Sequence, residues 1–308
     1  MMKKSKVLGI IGVGALGLLP FSVSAGETPS GGIICPNYVF KDEDIVCEIS
    51  LPSLESEANV YYSGFSANYS LDTGILYNSF EVKNYTMDIN INSANGFALG
   101  KTSGFDTYLK LAEVKFKFDE NAVVGNDYKI TLTNVDITDL AYNSFLDENN
   151  IELENLSATV TLSHLDLAEE LMNHITESED GTKVIYNLNQ NFDPTVEIIN
   201  KIQTNGAMSF RDASGTELGA NPQLGTGSML VVEFGERKIE YDLSIKGDVT
   251  GNGKVKMADV MKVATHIVEG NVIEGAAFEK AADVTGDGDI KMNDAMKMAT
   301  FIVDGGEL

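Results

Sequence analysis

Two twelve-residue stretches near the C-terminal end of the chain place oxygen-bearing side chains at intervals that suit a hard divalent cation. The first reads Asp248-Val249-Thr250-Gly251-Asn252-Gly253-Lys254-Val255-Lys256-Met257-Ala258-Asp259. The second reads Asp283-Val284-Thr285-Gly286-Asp287-Gly288-Asp289-Ile290-Lys291-Met292-Asn293-Asp294. Ca2+ takes roughly six to eight oxygens, and a loop of this length presents them from positions 1, 3, 5, 7 and 12. Those positions hold Asp248, Thr250, Asn252, the Lys254 carbonyl and Asp259 in one copy. In the other they hold Asp283, Thr285, Asp287, the Asp289 carbonyl and Asp294. Gly253 and Gly288 stand at position 6, where the chain must turn with positive φ. Two calcium ions are expected, one per loop. Position 9 is Lys256 and Lys291; an ammonium cannot ligate a cation, so water or nothing fills that corner. The first loop offers two carboxylates and the second three, which ranks the second loop as the tighter site because affinity rises with ligand charge.

Helices must hold these loops. After each one, apolar residues recur at helical offsets: Val260, Val263, Ala264, Ile267 and Val268, then Ala295, Met298, Ala299, Ile302 and Val303. The copies lie 35 residues apart (283 minus 248). No helical pattern enters the first loop, since the run before it is a strand ending Ile245-Lys246-Gly247. Loop then helix, twice, with a helical linker near 275–282, resembles a type I dockerin over residues 247–308. The resemblance implies an all-α module of two EF-hand-like loop–helix repeats that, loaded with calcium, binds a cohesin-bearing scaffold protein. In that family the partner is met by loop positions 10 and 11 and by the helix surface. Here those positions are Met257 and Ala258, and Met292 and Asn293, where the family often has a polar pair. Exposed methionines suit an adaptable apolar contact; packing of the two helices against each other is the alternative.

Residues 33–162 read differently. Runs at 60–62, 65–71, 75–82, 86–91, 109–118, 129–135 and 158–162 are rich in β-branched and aromatic residues, with Gly, Asn, Asp and Ser between them. In Val114-Lys115-Phe116-Lys117-Phe118 apolar side chains take one face and lysines the other. Many short strands with frequent turn signals predict an all-β sandwich. The stretch Gly64-Phe65-Ser66-Ala67-Asn68-Tyr69-Ser70-Leu71-Asp72, then Leu76 and Phe80-Glu81-Val82, resembles a cohesin. So does Leu111-Ala112-Glu113-Val114-Lys115-Phe116-Lys117-Phe118, with Ala122-Val123-Val124-Gly125 and Tyr128-Lys129-Ile130-Thr131-Leu132 after it. The likeness implies a cohesin-like jelly roll over 26–164 that receives a second dockerin; carbohydrate-binding sandwiches share such strand patterns, so a polysaccharide is the other partner.

Between these parts, residues 165–246 mix the two periodicities. Residues 167–175 have helical spacing, 184–188 read as a strand, and Asp193-Pro194 opens a helix running through Ile202, with Asp193 as N-cap and Pro194 at the first helical position. Strands follow at 207–210, 228–234 and 238–245. The stretch looks like the small α/β module found before dockerins, and a folded spacer is the role it is assigned.

The chain is therefore multidomain: signal peptide 1–25, sandwich 26–164, α/β module 165–246, dockerin 247–308. The first segment has Lys3, Lys4 and Lys6, an apolar run at 7–19 and Val23-Ser24-Ala25 before the expected cleavage point. The protein is expected to be secreted, with no membrane span in the mature chain. Net charge is −24 over 308 residues, and loss of those three lysines leaves −27 (−24 minus 3). Like-charge repulsion excludes nucleic acid and disfavours anionic membranes as partners. In 33–51, two short strands around Lys41-Asp42-Glu43-Asp44 bring Cys35 and Cys47 across from each other, and outside the cell a disulfide is expected. The three histidines, His164, His174 and His266, are scattered, with His266 expected on the helix face away from the core. Acidic pairs such as Asp42/Asp44 and Asp147/Glu148 arise by chance among 46 acidic residues, so no glycosidase pair is assigned. There is no Trp, and Tyr61, Tyr62 and Tyr69 are left as the residues able to stack on a sugar, with core packing as their alternative. No catalytic residue is expected; a glycoside hydrolase component is the weakest reading.

Overall fold

The computed structural model of the chain describes residues 31–51, 62–83, 87–105, 110–139, 156–219, 222–270 and 272–308. The signal peptide at 1–25, Tyr61 and the Asp147/Glu148 pair lie outside the described residues.

Among the described residues ten strands build the N-terminal part: β1 (Gly32–Ile34), β2 (Tyr38–Phe40), β3 (Ile45–Ser50), β4 (Tyr62–Leu71), β5 (Ile75–Val82), β6 (Ile89–Ser93), β7 (Gly96–Phe105), β8 (Lys110–Phe118), β9 (Asp127–Asp139) and β10 (Ser157–Ser163). They form a four-stranded sheet of order β1-β3-β8-β5 and a six-stranded sheet of order β2-β10-β9-β4-β7-β6. The alternation in β8 sends Val114, Phe116 and Phe118 into the space between the sheets while Lys115 and Lys117 face out. Phe65, Phe97, Ile130, Ile137 and Leu162 close that core from the other sheet. Cys35 and Cys47 are joined by a disulfide at the start of the core. Neither described tyrosine is free to stack on a sugar. Tyr62 is buried, and Tyr69 packs edge-on against Phe116, with centroids 5.3 Å apart, and beside Tyr77.

The following residues hold a five-stranded sheet of order β12-β13-β17-β16-β15, where β12 is Ile175–Glu177, β13 Lys183–Leu188, β15 Ala207–Arg211, β16 Met229–Phe234 and β17 Arg237–Ile245. A two-stranded ribbon of β11 (Leu165–Leu167) and β14 (Ile202–Thr204) sits beside it. Two expected helices are much shorter than their spacing predicts. The first is a single turn, α1 (Glu169–Met172), because the residues on either side pair as β11 and β12. The second, α2 (Pro194–Glu197), passes at once into a 3-10 turn at Ile199–Lys201, and Ile202 is already strand. Its start is as expected: the Asp193 carboxylate accepts the N–H groups of Thr195 and Val196.

The C-terminal part is helical: α3 (Met257–Glu269), α4 (Ala276–Ala282) and α5 (Met292–Asp304). Val249, Val260, Val263, Val284, Ala295 and Met298 form its centre. Val268 and Val303, expected on the core face, are 80% and 77% exposed. The eighth position along a helix lies about 80° round from the first, far enough to leave the packed stripe.

Candidate functional site

Each loop is wound by its own carboxylates. In the first, Asp248 Oδ1 accepts the Asn252 N–H at 2.9 Å and Oδ2 the Gly253 N–H at 2.8 Å. Asp259 accepts the N–H groups of Thr250 at 2.8 Å and Lys256 at 2.9 Å. The second loop repeats this. Asp283 accepts from Asp287 at 3.1 Å and Gly288 at 2.8 Å, and Asp294 from Thr285 at 3.0 Å and Lys291 at 2.8 Å. The bond from position 9 also makes Asp259 and Asp294 the carboxylates that close the first turns of α3 and α5. One side chain at position 12 thus ties loop to helix.

Asp248, Asp259 and Asp294 are fully buried, and among the described residues none of the three enters an ion pair through its carboxylate. Amide N–H groups hold all three, joined at Asp294 by the Thr285 hydroxyl at 2.9 Å, and a buried carboxylate held by neutral donors alone is costly unless a cation neutralises it. Burial pushes the Asp248 carboxyl above the usual carboxylate range against the pull of three N–H groups, and the Asp259 charge adds to that push. The remaining donors, the Thr250 and Thr285 hydroxyls, the Asn252 amide and the carbonyls at position 7, are hard oxygens. This donor set fits Ca2+. Among the described residues no three His, Cys, Asp or Glu side chains are drawn together as a metal-binding group.

The loops differ at two corners that spacing does not reveal. Lys291, at position 9 of the second loop, lies 3.3 Å from the Asp287 carboxylate and 2.7 Å from that of Asp289. That corner is filled by an ammonium, where water or nothing was expected. In the first loop Asp248 Oδ2 also accepts the N–H of Thr226, which belongs to the preceding sheet region, at 2.9 Å.

Met257, Ala258, Met292 and Asn293 are all exposed at the first turns of their helices, and the two methionines are not packed between the helices. The exposed apolar stripe is longer than those four positions. Met261 at 60% and Met296 at 65% exposure continue it one turn along, and Val268 and Val303 end it. Their spacing from Met257 and Met292, four and eleven residues, was the available signal. Behind each stripe a lysine pins helix to loop: Lys262 donates to the Val249 carbonyl at 2.7 Å and Lys297 to that of Val284 at 3.0 Å. His266 does not face away from the core. It is half-buried, and its Nδ1 accepts the Ile273 N–H.

Residues 246–302 match the family model of the dockerin type I domain. The match spans both loops and most of the helical part described above. Among solved structures the N-terminal sandwich is similar to a non-cellulosomal cohesin from the hyperthermophilic archaeon Archaeoglobus fulgidus, at 14% identity and TM-score 0.33, covering 44% of this chain and 91% of that one. It is also similar to a cohesin module of a family 33 glycoside hydrolase from Clostridium perfringens, at 11% identity and TM-score 0.34, covering 44% and 98%. A third is the sixth cohesin of scaffoldin B from Acetivibrio cellulolyticus, at 15% identity and TM-score 0.32, covering 42% and 99%. No curated protein matches the chain.

Proposed function

We propose that the protein is a secreted, non-catalytic adaptor whose calcium-loaded dockerin binds a cohesin-bearing scaffold of a cellulosome-like or cell-surface complex linked to polysaccharide breakdown. The observation that carries this reading is the doubled unit in which a loop of hard oxygens is tied through Asp259 or Asp294 to a helix presenting exposed methionines. Calcium supplies the charge that holds each loop closed; the chain's own residues then set the direction of the two helices. Three buried clusters, one in the sandwich, one in the α/β sheet and one in the dockerin, support division into modules at 26–164, 165–246 and 247–308. Among the described residues no helix is long and apolar enough to cross a membrane.

The sandwich has a second reading, as a receptor for another dockerin. In register Ile89 lies opposite Gly100 and Ile91 opposite Ala98, while Phe97 and Leu99 point into the core. Ile89 and Ile91 therefore lie on the outer face, 51% and 65% exposed, over small neighbours. Two adjacent isoleucines on an otherwise polar sheet face suit an apolar protein partner better than a sugar. In a pull-down with the full chain, a type I cohesin is retained in calcium and released by chelator. Retention on insoluble polysaccharide with no binding to cohesin would replace this function with carbohydrate binding by the sandwich.

A further inference from the structure

Corresponding positions of the two calcium loops meet different surroundings. In the second loop, a Cβ built at Gly286 or Gly288 would touch nothing within 4 Å. In the first, a Cβ at Gly251 would come 2.8 Å from the Thr226 carbonyl, and one at Gly253 would collide with the Leu224 carbonyl. The loop is roofed by backbone from residues 223–228, the segment leading into β16. That roof is tied down at several points. Thr226 N–H reaches Asp248 Oδ2, and the Gln223 amide reaches the Asn252 carbonyl at 3.2 Å. The roof is also braced from behind, since the Thr226 hydroxyl bonds both the N–H and the carbonyl of Ile245, three residues before the loop begins. Gly225 allows the approach: a Cβ there would sit on the Gly251 carbonyl, and its three nearest atoms all belong to the loop. The Val255 N–H also donates to Gln190 of the same α/β module at 3.1 Å.

We infer that residues 223–228 are the outer wall of the first calcium site. They hold Asp248 in its ligating orientation, so that filling this loop and seating the α/β module on the dockerin are one coupled event, whereas the second loop fills by itself. This rests on the reading of both loops as calcium sites. A hydrogen bond to a ligating carboxylate from outside the loop fixes that ligand's orientation, and the loss of such a contact weakens metal binding by roughly 10–100-fold. Coupling is reciprocal: if the wall strengthens ion binding, the ion strengthens the seam by the same factor. The module assigned as a spacer is then a working part of one site, and the two loops are not equivalent.

Gly225→Ala tests this, because the glycine has no left-handed backbone to lose and the three atoms nearest its added methyl all belong to the loop. Calcium titration calorimetry on the full chain, with Asp294→Ala to silence the second loop, should show the first loop weakened roughly 10–100-fold by Gly225→Ala. With Asp259→Ala silencing the first loop instead, Gly225→Ala should leave the second unchanged. Hydrogen exchange on the unmodified chain gives an independent readout: calcium should slow exchange of the amides at 223–228, and should fail to do so in Asp259→Ala. Equal first-loop affinity with and without Gly225→Ala, or exchange at 223–228 indifferent to calcium, overturns the inference while the calcium reading stands. A chain that binds no calcium at all overturns both.

Discussion

Lys291 sets the balance of the second loop. Counted by carboxylates, Asp283, Asp287 and Asp294 outrank Asp248 and Asp259, yet the ammonium at position 9 lies against Asp287 and subtracts from that advantage. The N–H of Asp289 and then Lys291 hold the Asp287 carboxyl below the usual carboxylate range. Lys291→Ala should tighten the second loop a few-fold in a calcium titration with the first loop silenced; unchanged or weaker binding would show that the lysine does not compete. The exposed methionines make a separate prediction. Met261→Asp with Met296→Asp should weaken cohesin binding at least tenfold, the scale of a buried apolar anchor, with calcium binding and helix content retained. Methionine sulfoxide is polar, so mild oxidation of the unmodified chain should act in the same direction.

The elements show which physical signals a sequence carries. The alternation in β8 is local and was legible to the residue. The helix at 167–175 was misread because the pairing of Leu165–Leu167 with Ile202–Thr204 and of Ile175–Glu177 with Lys183–Leu188 claims its two ends. Periodicity within one segment contains no trace of a partner strand. The same holds for Thr226 and Asp248, which meet across 22 positions. Val268 and Val303 mark the opposite error, an apolar pattern extended past the point where the helix turns it toward solvent. Where packing was read correctly it can be tested. Met298 is fully buried at the centre of the small dockerin core, so Met298→Ala should cost about 2–5 kcal/mol. It should lower the melting temperature of the calcium-loaded module and raise the calcium needed to fold it. No change in either would mean that the core is not continuous across the two helices.

Across the whole molecule, two seams join three cores. Between dockerin and α/β module lies the wall over the first loop, extended by Lys280 above the Tyr186 ring and by Lys246 donating to the Leu308 carbonyl. Between α/β module and sandwich, Arg237 forms a bidentate pair with Glu43, at 2.6 and 2.9 Å, and lies over the Phe40 ring, which packs edge-on against Phe234. Burial alone would raise the Glu43 carboxyl, but the bonds and charge of Arg237 and the Phe40 N–H hold it below its usual value. The folded value is depressed, so this seam's contribution is complete above the unfolded value of 4.5 and is lost as pH falls through the lower folded value. Arg237→Ala should remove that acid-side loss from a plot of melting temperature against pH, and an unaltered profile would assign the loss to other carboxylates. A chain built this way carries its C-terminal helices on a continuous support. The most direct measurement is calcium titration of the full chain, with helix content followed by circular dichroism alongside calorimetry. Two ions per chain should bind, with helical signal and cohesin binding both lost on chelation. Unchanged helicity and unchanged cohesin binding in the stripped protein would contradict the account.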